Sequence, residues 1–148
     1  MYTQSNTLEK LIDWENIMKM ERCAGGHDEQ MKWLFKNAKL IGHYKEGCYQ
    51  GEVATCVQLE DDRYVIYNDY YGSCSGCDSW ENANDEEVEY MCKNLANSAY
   101  IFENIFGTIE DVINFLSLEN VENYSWSKNL REGLLEEIKN NKEYLWLK

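Results

Sequence analysis

Glu52-Val-Ala-Thr-Cys-Val-Gln-Leu-Glu60 and Arg63-Tyr-Val-Ile-Tyr-Asn-Asp69 are the two runs that decide the fold class. In the first, Val53, Thr55, Val57 and Leu59 alternate with Glu52, Ala54, Cys56 and Gln58, the period of a strand with two unlike faces. The polar turn Glu60-Asp-Asp62 separates it from the second run, rich in the aromatic and β-branched residues that fit a pleated surface. Upstream, Leu40-Ile-Gly-His-Tyr44 reads as another strand. Connections this short favour an antiparallel meander over about 39–71.

Helical patterns flank the meander on both sides. Asn6 followed by Glu9 looks like a capping box, with Leu8, Leu11, Ile12 and Met18 as one helical face ending before Gly25-Gly26. Asp28 reads as the cap of a short helix carrying Met31, Trp33, Leu34 and Phe35. Asn84-Asp-Glu-Glu87 opens the clearest helix, whose buried stripe runs through Val88, Met91, Cys92, Leu95, Ala96 and Ala99. Ala99-Tyr-Ile-Phe102 is read as the core of a candidate fourth strand over 99–104. Thr108 caps a helix with Ile109, Val112, Ile113 and Leu116, and Ser127 caps a last one with Leu130, Leu134 and Ile138. The expectation is one α+β domain over 1–148, a three- to four-stranded antiparallel sheet packed by N- and C-terminal helices.

Composition fits a folded chain, with 44% apolar residues among 148 and with five Trp and eleven Tyr that a disordered acidic segment would lack. Proline is absent, against an average usage of ~5%. The opening residues carry no basic-then-apolar leader and no run approaches the ~20 apolar residues of a membrane span, so a cytoplasmic protein is expected. In that compartment the six cysteines read as thiols or metal ligands rather than a disulfide framework.

Charge is the other strong signal. Between Tyr64 and Ser127 the chain carries twelve acidic side chains and the single base Lys93, so −11 of the total −13 lies in one stretch. Such a field repels nucleic-acid and membrane phosphates and attracts basic surfaces. Tyr64, Tyr67, Tyr70 and Tyr71 precede the acids, and strand alternation puts Tyr64 and Tyr70 on one face, Tyr67 and Tyr71 on the other. Exposed tyrosines beside Asp78, Glu81, Asp85, Glu86 and Glu89 would make an aromatic, acidic partner-binding surface. The outward carboxylates of the helix opened by Asn84 are expected at its centre. Helix-dipole stabilisation of first-turn acids, ~0.3–1 kcal/mol each, is the purely structural reading of Asp85, Glu86 and Glu87.

Cys74-Ser-Gly-Cys77 is the one sharp local motif, with the two-residue spacing that puts two thiolates on one zinc. A second ligand pair is not obvious. Cys23 with His27, or Cys48 with Cys56 across a hairpin, are the candidates. The plain alternative is a small-residue turn. Thioredoxin-like chemistry is disfavoured by Asp78 and Glu81, because acidic neighbours oppose a thiolate. His27 and His43 are the only imidazole bases, and no flanking pattern marks a nucleophile, so no catalytic residue is assigned.

Small size, absent proline and the acids Asp78, Glu81, Asp85, Glu86, Glu87 and Glu89 together resemble the inhibitors that phages and mobile elements carry against host defence nucleases, the anti-CRISPR and DNA-mimic type. The resemblance implies a non-enzymatic protein that occupies a basic, nucleic-acid-binding surface of a partner, most plainly a nuclease. Under it there is no direct nucleic-acid contact and no cofactor. The alternatives are a zinc module held by Cys74 and Cys77, a toxin-neutralising immunity protein, or an enzyme built around His27 or His43.

Overall fold

The computed structural model describes residues 8–22, 26–47, 50–72, 80–101, 103–118 and 126–141. Its elements run α1 (Trp14–Lys19), α2 (Gly26–Lys32), β1 (Lys39–Lys45), β2 (Gln50–Gln58), β3 (Tyr64–Gly72), α3 (Asp85–Ile101), β4 (Ile105–Phe106), α4 (Ile109–Ser117) and α5 (Lys128–Asn140). The four strands form one antiparallel sheet in the order β1-β2-β3-β4, so the chain has the α+β class expected of it. Among the described residues no helix is long and apolar enough to cross a membrane.

Helices cover both faces of the sheet. Val53, Val57, Leu59, Val65 and Tyr67 pack with Ile17 of α1, Met31 of α2, Trp80, and Val88, Cys92, Leu95, Ala96 and Ala99 of α3. The opposite parity, Ala54, Cys56, Tyr64 and Ile66 with Ile41, packs against Ile109, Val112 and Leu116 of α4 and Leu130, Leu134 and Ile138 of α5. The unbroken burial of Val53 to Val57 follows from this. Ala54 and Cys56, between larger side chains, are small enough for α5 to approach closely.

Three local expectations are corrected. Leu8 to Met18 is not one helical face, because Asp13 interrupts it and caps α1 by accepting from Asn16 N at 3.1 Å. Ile12 instead forms an antiparallel bridge with Phe35. Asp28 does not cap a helix, since it lies inside α2, which ends at Lys32 before Trp33, Leu34 and Phe35, and its carboxylate turns to His43. Ala99 to Ile101 belong to α3, and the fourth strand is Ile105–Phe106. Ala99 continues the buried stripe of α3. The helix is then closed by Glu103 at φ 56 and by Asn104 N–H on Ala99 O at 2.8 Å.

The first face is tied to α3 by Arg22. Its guanidinium donates to Ala83 O at 2.8 Å, pairs with Asp85 at 2.5 Å, and lies 5.8 Å from the Trp80 ring centroid. Trp80 is fully buried and its indole N–H donates to Glu21 O at 3.2 Å. A β-carbon at Gly26 would sit 2.4 Å from that indole. Gly26→Ala is therefore expected to cost about 1–3 kcal/mol through overpacking, more than helix propensity returns at a first-turn position. A urea titration finding the variant as stable as the parent would contradict this packing.

Candidate functional site

The acidic surface is built first by α3. Asn84 and Glu87 form a reciprocal capping box, Asn84 N–H to Glu87 Oε1 at 3.1 Å and Glu87 N–H to Asn84 Oδ1 at 2.9 Å. Glu87 is thereby committed to holding the helix. With the stripe from Val88 to Ala99 turned inward, Asp85, Glu86 and Glu89 point to solvent, as expected. Two of them are partly compensated by the chain itself. Asp85 meets Arg22, and Glu89 meets Lys93 at 2.8 Å. Glu86 has no ion-pair partner among the described residues. Tyr90, next to Glu89, is 67% exposed and adds an aromatic side chain to this outer face. A shallow hollow of about 540 Å³ lies at the start of the helix, lined by Arg22, Asn84, Asp85 and Glu86.

Tyr70, expected on the same surface, lies elsewhere. It shares the parity of Tyr64 and Ile66, so it stands on the sheet face that α4 and α5 cover, opposite the face packed by α3. It is 67% exposed at the uncovered end of that face. Glu52 is its cross-strand neighbour, and a hydrogen bond to the Glu52 carboxylate, reinforced by that charge, raises the phenol's pKa. Glu46 N–H donates to Glu52 O at 2.9 Å, which places a second carboxylate-bearing residue beside the first. Beyond them, Tyr44 packs on Gly133, and a cleft of about 370 Å³ is lined by Tyr44, Glu46 and α5 residues that include Glu132, Glu136 and Glu137. The sheet therefore separates two acidic, aromatic surfaces where one was expected.

Of the remaining expected residues, Glu81 is half-buried and its Oε2 is enclosed with no hydrogen-bond partner among the described residues, so it does not stand out into solvent as Glu86 does. Tyr71 lies on β3 opposite Gly51. Asp78, Cys74 and Cys77 lie outside the described residues, as do Cys23 and Cys48. Among the described residues no group of three or more His, Cys, Asp and Glu is arranged to hold a metal ion. Cys56 lies opposite Gly42 and Ile66 and is fully buried, which pushes its thiol up strongly.

Both imidazoles occupy one polar patch between α2 and the sheet. His27 of α2 meets Asp69 of β3 at 2.9 Å from Nε2, and its Nδ1 faces Gln30 Oε1. His43 of β1 runs the other way, its Nε2 on Asp28 of α2 and its Nδ1 2.9 Å from the Thr55 hydroxyl. Gln30 also donates to Cys92 Sγ at 3.0 Å. The Asp28–His43–Thr55 line has the connectivity of a hydroxyl nucleophile, base and orienting acid. Thr55 is fully buried, so no substrate reaches its hydroxyl. Cys92 is equally enclosed, and burial pushes its thiol up to about 11. This patch binds elements together rather than presenting a reactive group. Its sequence signal is weak, because His27, Asp28, His43 and Asp69 come from three elements and each alone looks like a surface residue.

No known protein family, curated protein or solved structure matches this chain.

Asp28 is held below its usual carboxyl range. Burial opposes this, and the shift comes from the His43 hydrogen bond and charge, with Lys45 and Lys32 adding to it. A depressed carboxyl stabilises the fold above its unfolded value of ~3.9, and that contribution is lost as pH falls through the lower folded value. Asp28→Asn is expected to lower stability at neutral pH by about 1–3 kcal/mol and to flatten the acid limb below about pH 4. Thermal melts from pH 2.5 to 7 giving the parent's profile would contradict the role assigned to this carboxylate.

Proposed function

We propose that this protein is a non-enzymatic inhibitor acting in the cytoplasm, which docks an acidic helix face on a basic, nucleic-acid-binding surface of a partner protein, most plainly a nuclease. The observation that carries it is the outward face of α3. Asp85, Glu86 and Glu89 are exposed there within about 6 Å of helix axis. Duplex DNA offers one negative charge per ~1.7 Å of its axis, a comparable density. Lys and Arg side chains that normally hold phosphates would find carboxylates in similar number on a rigid support. Tyr90 adds a large contact area at low entropic cost, and its exposure beside Glu89 suits a protein interface.

The partial pairing of Asp85 with Arg22 and of Glu89 with Lys93 fits such a role. Exposed pairs of this kind contribute about 0–1 kcal/mol, so a cationic partner exchanges them at small cost. Burial of His27, Cys56 and Cys92, with His43 engaged by Asp28 and the buried Thr55, further favours a binding protein over a hydrolase or thiol enzyme. Association should be fast and should weaken with salt, because exposed charges are screened over ~8 Å at physiological ionic strength.

The test is a surface plasmon titration of the full chain against a panel of nucleic-acid-binding nucleases at several salt concentrations. Glu86→Lys with Glu89→Lys should leave the fold intact and weaken binding to an inhibited nuclease about tenfold or more, chiefly through the association rate. Glu132→Lys with Glu136→Lys, across the sheet, should leave that binding unchanged. Parent-like binding by the α3 variant, or salt-insensitive binding by the parent, would contradict the proposal.

A further inference from the structure

Arg22 shows how this surface holds a guanidinium. It pairs with the Asp85 carboxylate at 2.5 Å and lies 5.8 Å from the Trp80 ring centroid, so an acid and an aromatic face share one cation. The same two groups recur further along α3. Glu86 and Tyr90 stand at i and i+4 of the helix, neighbours on its outer side with about 5–6 Å between their β-carbons. Glu86 is exposed and has no ion-pair partner among the described residues, and Tyr90 is 67% exposed.

No arginine of the chain serves this second pair. The sequence holds Arg22, Arg63 and Arg131. Arg63 pairs with Asp61 at 2.8 Å in the turn before β3. Arg131 is buried in α5, across the sheet from α3, and donates to Leu118 O. Lys93, three residues beyond Tyr90, is drawn to Glu89 at 2.8 Å. A guanidinium for Glu86 and Tyr90 therefore comes from outside the chain.

We propose that Glu86 and Tyr90 form a receptor for one arginine of the partner and together imitate a nucleotide, the carboxylate standing for its phosphate and the phenol ring for its base. This receptor presupposes that α3 is the docking face, and it specifies what that face recognises. The occupant is Arg rather than Lys. A planar guanidinium hydrogen-bonds a carboxylate through its edge while its flat side lies on a ring, whereas an ammonium is a compact, strongly hydrated point charge. Surfaces that bind single strands combine a cationic track with stacking on the bases. Surfaces that grip a duplex by its backbone meet phosphates, for which carboxylates alone suffice. Charge does not separate the two kinds of partner, and the ring does. Tyr90 beside Glu86 points to a partner whose groove holds unstacked nucleotides.

The experiment is an NMR titration of the full chain with oligo-arginine and oligo-lysine peptides of equal length at one salt concentration, read at the Tyr90 ring and the α3 amides. Both peptides should bind at α3, the arginine peptide more tightly. Tyr90→Leu, at an exposed position, should lower the arginine affinity about threefold to fivefold and the lysine affinity by less. Tyr90→Phe, which keeps the ring, should behave as the parent does, and Glu86→Gln should weaken both peptides. A Tyr90→Leu variant that keeps the parent's arginine-to-lysine ratio overturns the receptor, while binding of both peptides at α3 leaves the docking face standing. Absence of either peptide from α3 overturns both. Among nucleases that bind the parent, Tyr90→Leu should weaken binding to those acting on single strands by a similar factor and spare those specific for duplexes. Equal losses in the two classes, or the reverse order, overturn the nucleotide imitation.

Discussion

Burial of β2 on both faces is the constraint on which the rest of the structure depends. From Val53 to Val57 neither side of the strand meets water, so helices must cover the sheet above and below. Once α1, α2 and α3 take one face and α4 and α5 the other, the acidic residues are driven to the outer surfaces of the helices and to the sheet's uncovered end. An acidic chain tolerates this because its carboxylates stay solvated, and because several are set where they stabilise. Glu87 caps α3, and Glu110 and Asp111 occupy the first turn of α4.

The same division explains why one run of negative charge in sequence becomes two surfaces in space. Tyr70 and Asp85 are close in the chain, yet a sheet lies between the faces they serve. On one side, α3 offers a convex face with Glu86 and Tyr90. On the other, Glu46 and the acids of α5 line a cleft, and Glu52 pairs with Tyr70 on the neighbouring strands. The second surface draws its charge from segments whose own net charge is small.

The strand pattern, the α3 stripe and the caps Thr108 and Ser127 were legible in the sequence because each is a local signal of propensity, period or hydrogen bonding. The true extent of α3 was less so. Tyr100-Ile101 has strand propensity, and the apolar stripe that carries the helix through Ala99 overrides it. Asp28 looked like a cap by residue type and serves instead as a partner of His43, a contact set by the docking of α2 on β1. Tyr90 went unnoticed, although its position off the apolar stripe of α3 was a readable sign of exposure. The His27–Asp69 and His43–Asp28 pairs depend on helix-to-sheet geometry, for which no local pattern stands.

The central claim is that α3 supplies the contact and the cleft of α5 does not. Carboxyl footprinting tests it most directly, by labelling exposed carboxylates with a carbodiimide and an amine in the free protein and in complex with an inhibited nuclease. The account predicts that labelling of Asp85, Glu86 and Glu89 falls on binding, while Glu132, Glu136 and Glu137 label as in the free protein. Protection confined to the α5 carboxylates, with those of α3 unchanged, would contradict it.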